Sequence, residues 1–107
     1  MEFDSVTLLL YVRCDDAPAH RDDELHEIQT GHLAHLRAMG EAGYALTAGP
    51  FDDQSDEKFR GLVFFTVSPE EALRLTENDP AVKAGRLRAD VMTWYHEKGS
   101  VVFPTRS

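Results

Sequence analysis

Cysteine is almost missing from this chain. Cys14 stands alone, so no disulfide can close within the 107 residues, as expected for a reducing compartment. Long apolar runs are missing too: none approaches the roughly 20 residues that cross a bilayer as a helix. The opening Met1-Glu2-Phe3-Asp4-Ser5 has neither the basic segment nor the apolar core of a secretion signal. Basic residues are scarce, 11 Lys and Arg against 19 Asp and Glu, for a formal charge of −8. Phosphate backbones and anionic membrane surfaces both call for clustered Lys and Arg, so nucleic acid and membrane are excluded as expected partners. No serine sits in a Gly-x-Ser-x-Gly elbow, and Ala48-Gly49-Pro50 lacks the glycines and lysine of a phosphate loop. The expectation is a soluble, cytoplasmic protein, one domain over residues 1–107.

What is present is a clear alternation of strand and helix patterns. Val6–Val12 is dense in strand formers. A helix is expected from about Arg21 to Glu41, with Leu25, Ile28, Leu33, Leu36 and Met39 as its apolar stripe and Gly40 and Gly43 marking its end. Tyr44–Ala48 reads as a second strand, stopped by Gly49-Pro50, and residues 52–58 as an acidic loop. Gly61–Val67 is the third strand. Ser68-Pro69-Glu70-Glu71 then opens a helix with a serine cap, a proline in the first turn and a glutamate at the third position. Asp79-Pro80 opens a one-turn helix that Gly85 ends, and Leu87–His96 is the fourth strand.

The order βαββαβ predicts an α+β, ferredoxin-like fold: a four-stranded antiparallel sheet with both helices on one face. Leu8 and Leu10 point one way from the first strand and Leu9 and Tyr11 the other, while Leu62 and Phe64 oppose Val63 and Phe65. Two helices cannot cover two apolar faces. A homodimer packed through the uncovered face is therefore expected, with Val101, Val102 and Phe103 docking on the body or on the partner.

Among candidates for chemistry, His32 falls near the middle of the helical stripe, directed inward. Asp79, capping a helix, is held where its anion is favoured. A carboxylate beside an imidazole fixes its tautomer and suits it to proton transfer. A lone inward histidine is ordinarily a core residue satisfied by one hydrogen bond, and the residues alone leave both readings open. His35, three residues on, lies at the edge of the stripe. No further ligand at metal spacing accompanies the two, and no metal is expected. His26 falls on the polar face, His20 in a loop and His96 at a strand end. Asp15 and Asp16 disfavour a thiolate at Cys14. Arg13, Arg60 and Arg86 lie near strand ends, as solvated charges or as holders of an anionic substrate.

Three segments in register carry a resemblance: Gly31-His32-Leu33-Ala34-His35-Leu36, Leu46-Thr47-Ala48-Gly49-Pro50-Phe51, and Asn78-Asp79-Pro80 with Ala84-Gly85. In order and spacing the chain resembles the YciI-like (YCII-related) family over nearly its whole length. That resemblance implies a ferredoxin-like fold paired into a dimeric α+β barrel; the expected partner is a second copy of the chain, with a higher oligomer left open. It also implies an active site built on His32 and Asp79, with Gly49 and Pro50 as its substrate-binding corner. The family includes a dehydrochlorinase of a chlorinated hydroxyhydroquinone, and its fold resembles muconolactone isomerase. The expected function is a cofactor-independent lyase or isomerase of a small molecule. The alternative is a non-catalytic small-molecule-binding or accessory dimer, in which His32 and Asp79 only tie a helix to a corner.

Overall fold

The computed structural model describes residues 1–103. Its elements are β1 (Phe3–Arg13), α1 (Asp22–Glu41), β2 (Ala45–Pro50), β3 (Phe59–Phe65), α2 (Pro69–Thr76), α3 (Pro80–Lys83) and β4 (Leu87–Glu97). The strands form one antiparallel sheet in the order β2-β3-β1-β4. This is the expected α+β, ferredoxin-like arrangement, with α3 added before the last strand.

The helix starts follow the capping chemistry read from the sequence. Ser68 Oγ accepts from the Glu71 amide at 3.2 Å, with Pro69 in the first turn. At α1, the Arg21 amide donates to Glu24 Oε1 at 3.0 Å, and Asp22, Asp23 and Glu24 place negative charge at the positive end of the helix. The chain leaves α1 through Gly43 at φ +84° and leaves α3 through Gly85 at φ +74°, a backbone region that favours glycine.

Strand alternation places the core. Leu9, Tyr11, Val63 and Phe65 are buried on the helix side with Ala45 and Ala72, and Leu36 and Met39 of α1 pack against them. Each buried large side chain contributes about 1.5–3 kcal/mol of transfer free energy. Opposite pairs such as Leu8–Phe64 and Leu10–Leu62 carry the other face. There Met92 and Trp94 are exposed, and Phe64 stacks with Trp94 and with Phe103 of the tail at 5.4 and 5.3 Å between ring centroids.

Several expectations need correction. Gly49-Pro50 does not stop β2: both pair with β3, opposite Leu62 and Gly61. A proline is tolerated there because β2 is the sheet edge. Gly40 lies buried inside α1 instead of ending it, and β3 runs Phe59–Phe65, two residues earlier than read. Leu33, assigned to the apolar stripe, is 53% exposed.

Candidate functional site

The site begins where the backbone of one helix meets a proline ring of another. At Gly31 an added Cβ would lie 2.8 Å from Pro80 Cγ and 3.1 Å from its Cβ. Only a residue without a side chain lets α1 come this close to the start of α3. That approach brings the next residue, His32, onto the cap of α3.

The cap is Asp79, which is fully buried. Its Oδ1 accepts from the Ala81 amide at 2.9 Å. Its Oδ2 accepts from the Tyr11 hydroxyl at 2.8 Å and meets His32 Nδ1 at 2.7 Å. Tyr11 and His32 also pack edge to face, with centroids 4.9 Å apart. One carboxylate thus ties β1, α1 and α3 together.

Electrostatics fix the protonation of two members. Burial pushes the Asp79 carboxyl up, but the hydrogen bond from His32, the Ala81 amide, the His32 charge and the Tyr11 hydroxyl outweigh it, holding the carboxyl below its ordinary value. Burial, the Asp79 charge and the hydrogen bond to it push the Tyr11 phenol far up, so it stays neutral and donates. With Asp79 ionised, Nδ1 of His32 carries the proton in their contact. Nε2 has no protein partner among the described residues and is not sealed. It is the nitrogen free to take or give a proton.

His32 and Tyr11 line a cleft of about 940 Å³ between α1 and the sheet. Leu33 and Leu36 line it from α1, and Gly49 and Pro50 from the end of β2. A Cβ at Gly49 would meet nothing within 4 Å, whereas one at Gly61 would lie 2.7 Å from the Gly49 carbonyl oxygen. The bare backbone of Gly61 is therefore what holds the Gly49-Pro50 corner against β3. Arg13, Arg60 and Arg86 line the same cleft. Asp79 does not; it stands behind His32.

Sequence reasoning gave Tyr11 no part here, although a tyrosine on the buried face of a strand needs a hydroxyl partner. Arg37, also lining the cleft, carried no signal at all. His35 stays outside the hydrogen-bonded group, its Nε2 buried without a partner among the described residues and its pKa lowered chiefly by burial. His26 is exposed, His20 contacts the Pro18 carbonyl at 3.0 Å, and Cys14 is half-buried. Among the described residues no three His, Cys, Asp or Glu side chains converge as metal ligands would, and no helix is long and apolar enough to cross a membrane.

Comparison with solved structures agrees with the fold. The 5-chloro-2-hydroxyhydroquinone dehydrochlorinase of Burkholderia phenoliruptrix, in complex with 2,5-dihydroxybenzoquinone, matches with a TM-score of 0.53 and 24% identity, over 86% of this chain and 96% of that one. A structure from Thermus thermophilus, described as PII-like signaling, has a TM-score of 0.44 and 18% identity over 92% of this chain and 96% of its own. The first likeness speaks to fold alone and the second carries no argument. No curated protein matches the sequence. The model of the YCII-related domain matches residues 8–95, and the chain belongs to that family.

Proposed function

We propose that the cleft performs cofactor-independent proton transfer on a small molecule, as a lyase or isomerase. The observation that carries this reading is the 2.7 Å contact between His32 Nδ1 and the fully buried Asp79, with His32 also facing the cleft. In this reading Nε2 of His32 is the acid–base group, and Asp79 orients the ring and stabilises the imidazolium formed when Nε2 takes a proton. Tyr11 holds the carboxylate. Gly49 presents bare backbone, and Pro50 its ring, to the substrate.

A dehydrochlorination, the reaction named for the Burkholderia protein, suits such a site. One proton and one chloride leave the same molecule, so a single base balances the step without an oxidant or reductant. The uncovered sheet face around Trp94 and Met92 supports pairing of two copies as a homodimer. The test is turnover of a chlorinated hydroxyhydroquinone, followed by chloride release. His32→Gln and Asp79→Asn should each abolish it with native circular dichroism, and full activity in either variant would reject the assignment.

The second reading, a non-catalytic binding or accessory module, draws on the three hydrogen bonds of Asp79, which suffice to explain its burial structurally. It expects the same variants to lose stability while any bound ligand is retained and left unchanged.

A further inference from the structure

The arginines of residues 1–103 fall into two sets. Arg21, Arg74 and Arg88 pair with Asp23, Glu71 and Asp90, and all three lie away from the cleft. Arg13, Arg37, Arg60 and Arg86 line the cleft, and among the described residues none of them has a carboxylate within 4.0 Å. Arg60 reaches the Glu57 carbonyl at 3.1 Å and Arg86 the Pro18 carbonyl at 3.3 Å, each through one nitrogen, leaving the rest of the guanidinium free.

Each of these four alone is an ordinary solvated charge. Their coincidence is what matters. They come from β1, α1, β3 and the approach to β4, and they converge on one concavity that no aspartate or glutamate lines. The chain as a whole carries 19 acidic residues against 11 basic ones. A cationic lining on an acidic protein concentrates anions at that one place. Guanidinium groups match carboxylate and phosphate oxygens two at a time. Leu25, Ile28, Leu33 and Leu36 of α1 supply an apolar stretch of the wall.

We propose that the cleft takes a small organic anion: a carboxylate or phosphate held by Arg13, Arg37, Arg60 and Arg86, with an apolar body along α1 that passes the His32 ring. The inference rests on the reading of this cleft as the site of chemistry, and adds the substrate class. The arginines anchor charge and orient the body; they also face any oxyanion that develops when His32 removes a proton.

The test is a titration at low salt with three probes of similar shape: 4-hydroxybenzoate, phenyl phosphate and the neutral 4-hydroxybenzamide. At least one anion should shift the His32 ring resonances saturably, and the amide should bind about tenfold more weakly or less, the loss expected for one charge-assisted hydrogen bond. Which anion binds better separates carboxylate from phosphate. Arg13→Gln/Arg37→Gln, whose parent side chains make no hydrogen bond to the described residues, should weaken binding about tenfold or more. Arg74→Gln, a charge change outside the cleft, should leave it unchanged. His32→Gln, followed by ligand line broadening, should still bind the anion, so failure of the catalytic reading and failure of this one are told apart. Equal affinity for acid and amide, an equal loss in Arg74→Gln, or no saturable binding of either anion would overturn the proposal.

Discussion

Tyr11 and His32 stand edge to face and meet the same oxygen of Asp79, Oδ2, one from β1 and the other from α1. The two contacts differ in consequence. The tyrosine proton stays where it is, because burial and the Asp79 charge keep the phenol neutral. Tyr11→Phe removes a hydrogen bond to a buried carboxylate and should cost about 1.5–3 kcal/mol of stability while retaining most activity, whereas His32→Gln should remove activity. Urea denaturation beside turnover checks the split.

Asp79→Asn keeps the cap acceptor for Ala81 but sets an amide N–H against either Tyr11 or His32. An N–H facing Nδ1 favours the tautomer with the proton on Nε2, the reverse of the arrangement described here. Activity should fall to background, and stability by about 1–3 kcal/mol near neutral pH. The pH dependence follows from the lowered Asp79 value. A depressed carboxyl contributes fully above the ordinary aspartate value, about 3.9, and loses its contribution as pH falls through the folded value. Native and variant stabilities should converge in acid and separate above about pH 4. A gap that persists undiminished at low pH would contradict this.

Gly31→Ala tests the contact of α1 with the Pro80 ring. In a helix interior this change favours the folded state by about 1 kcal/mol on propensity alone. Here the new methyl would lie 2.8 Å from a proline ring atom, and overpacking costs about 1–3 kcal/mol. A net loss of stability is expected, with His32 displaced from Asp79 and activity reduced. Thermal denaturation that shows a net gain would mean the corner yields freely.

His35 carries the opposite sign. Its pKa is lowered, burial being the largest cause, so the folded protein resists protonating it. Below the ordinary histidine value, about 6.5, the unfolded chain binds that proton more readily and stability drains away. His35→Leu should raise the melting temperature more at pH 5 than at pH 8. An equal gain at both would remove the titration from the account.

The uncovered sheet face predicts association. Trp94→Glu puts a charge among Phe64, His96 and Phe103, and should convert a dimer to a monomer on light scattering. A wild-type chain that scatters as a monomer at micromolar concentration would remove the dimer from the proposal.

Local signals were legible in the sequence; of the long-range pairings at the site, that of His32 with Asp79 was expected and is found, while the others were not legible. The caps at Ser68 and Asp79, the prolines after them and the terminating Gly43 and Gly85 act within a few residues, and each lies where the chain pattern puts it. Helical spacing turned His32 inward, as found. The same spacing misplaced Leu33, because α1 stands off the sheet and its edge opens onto the cleft. Tyr11 was read as one more apolar strand position; its partner is 68 residues away, beyond any local rule. The arginines show the limit most plainly. Arg74 and Arg88 find their partners within three residues, which the sequence displays. That Arg37 faces the same space as Arg13 is a property of the folded surface alone.

The Asp79 junction also bears on the order of events during folding. Its partners Tyr11 and His32 lie 68 and 47 residues earlier in the chain, so large loops must close before either hydrogen bond exists. No fragment ending before Asp79 can hold the pair. Function would then return on refolding no earlier than the last of these closures, and α1, which forms locally, would be in place while the cleft is still inert.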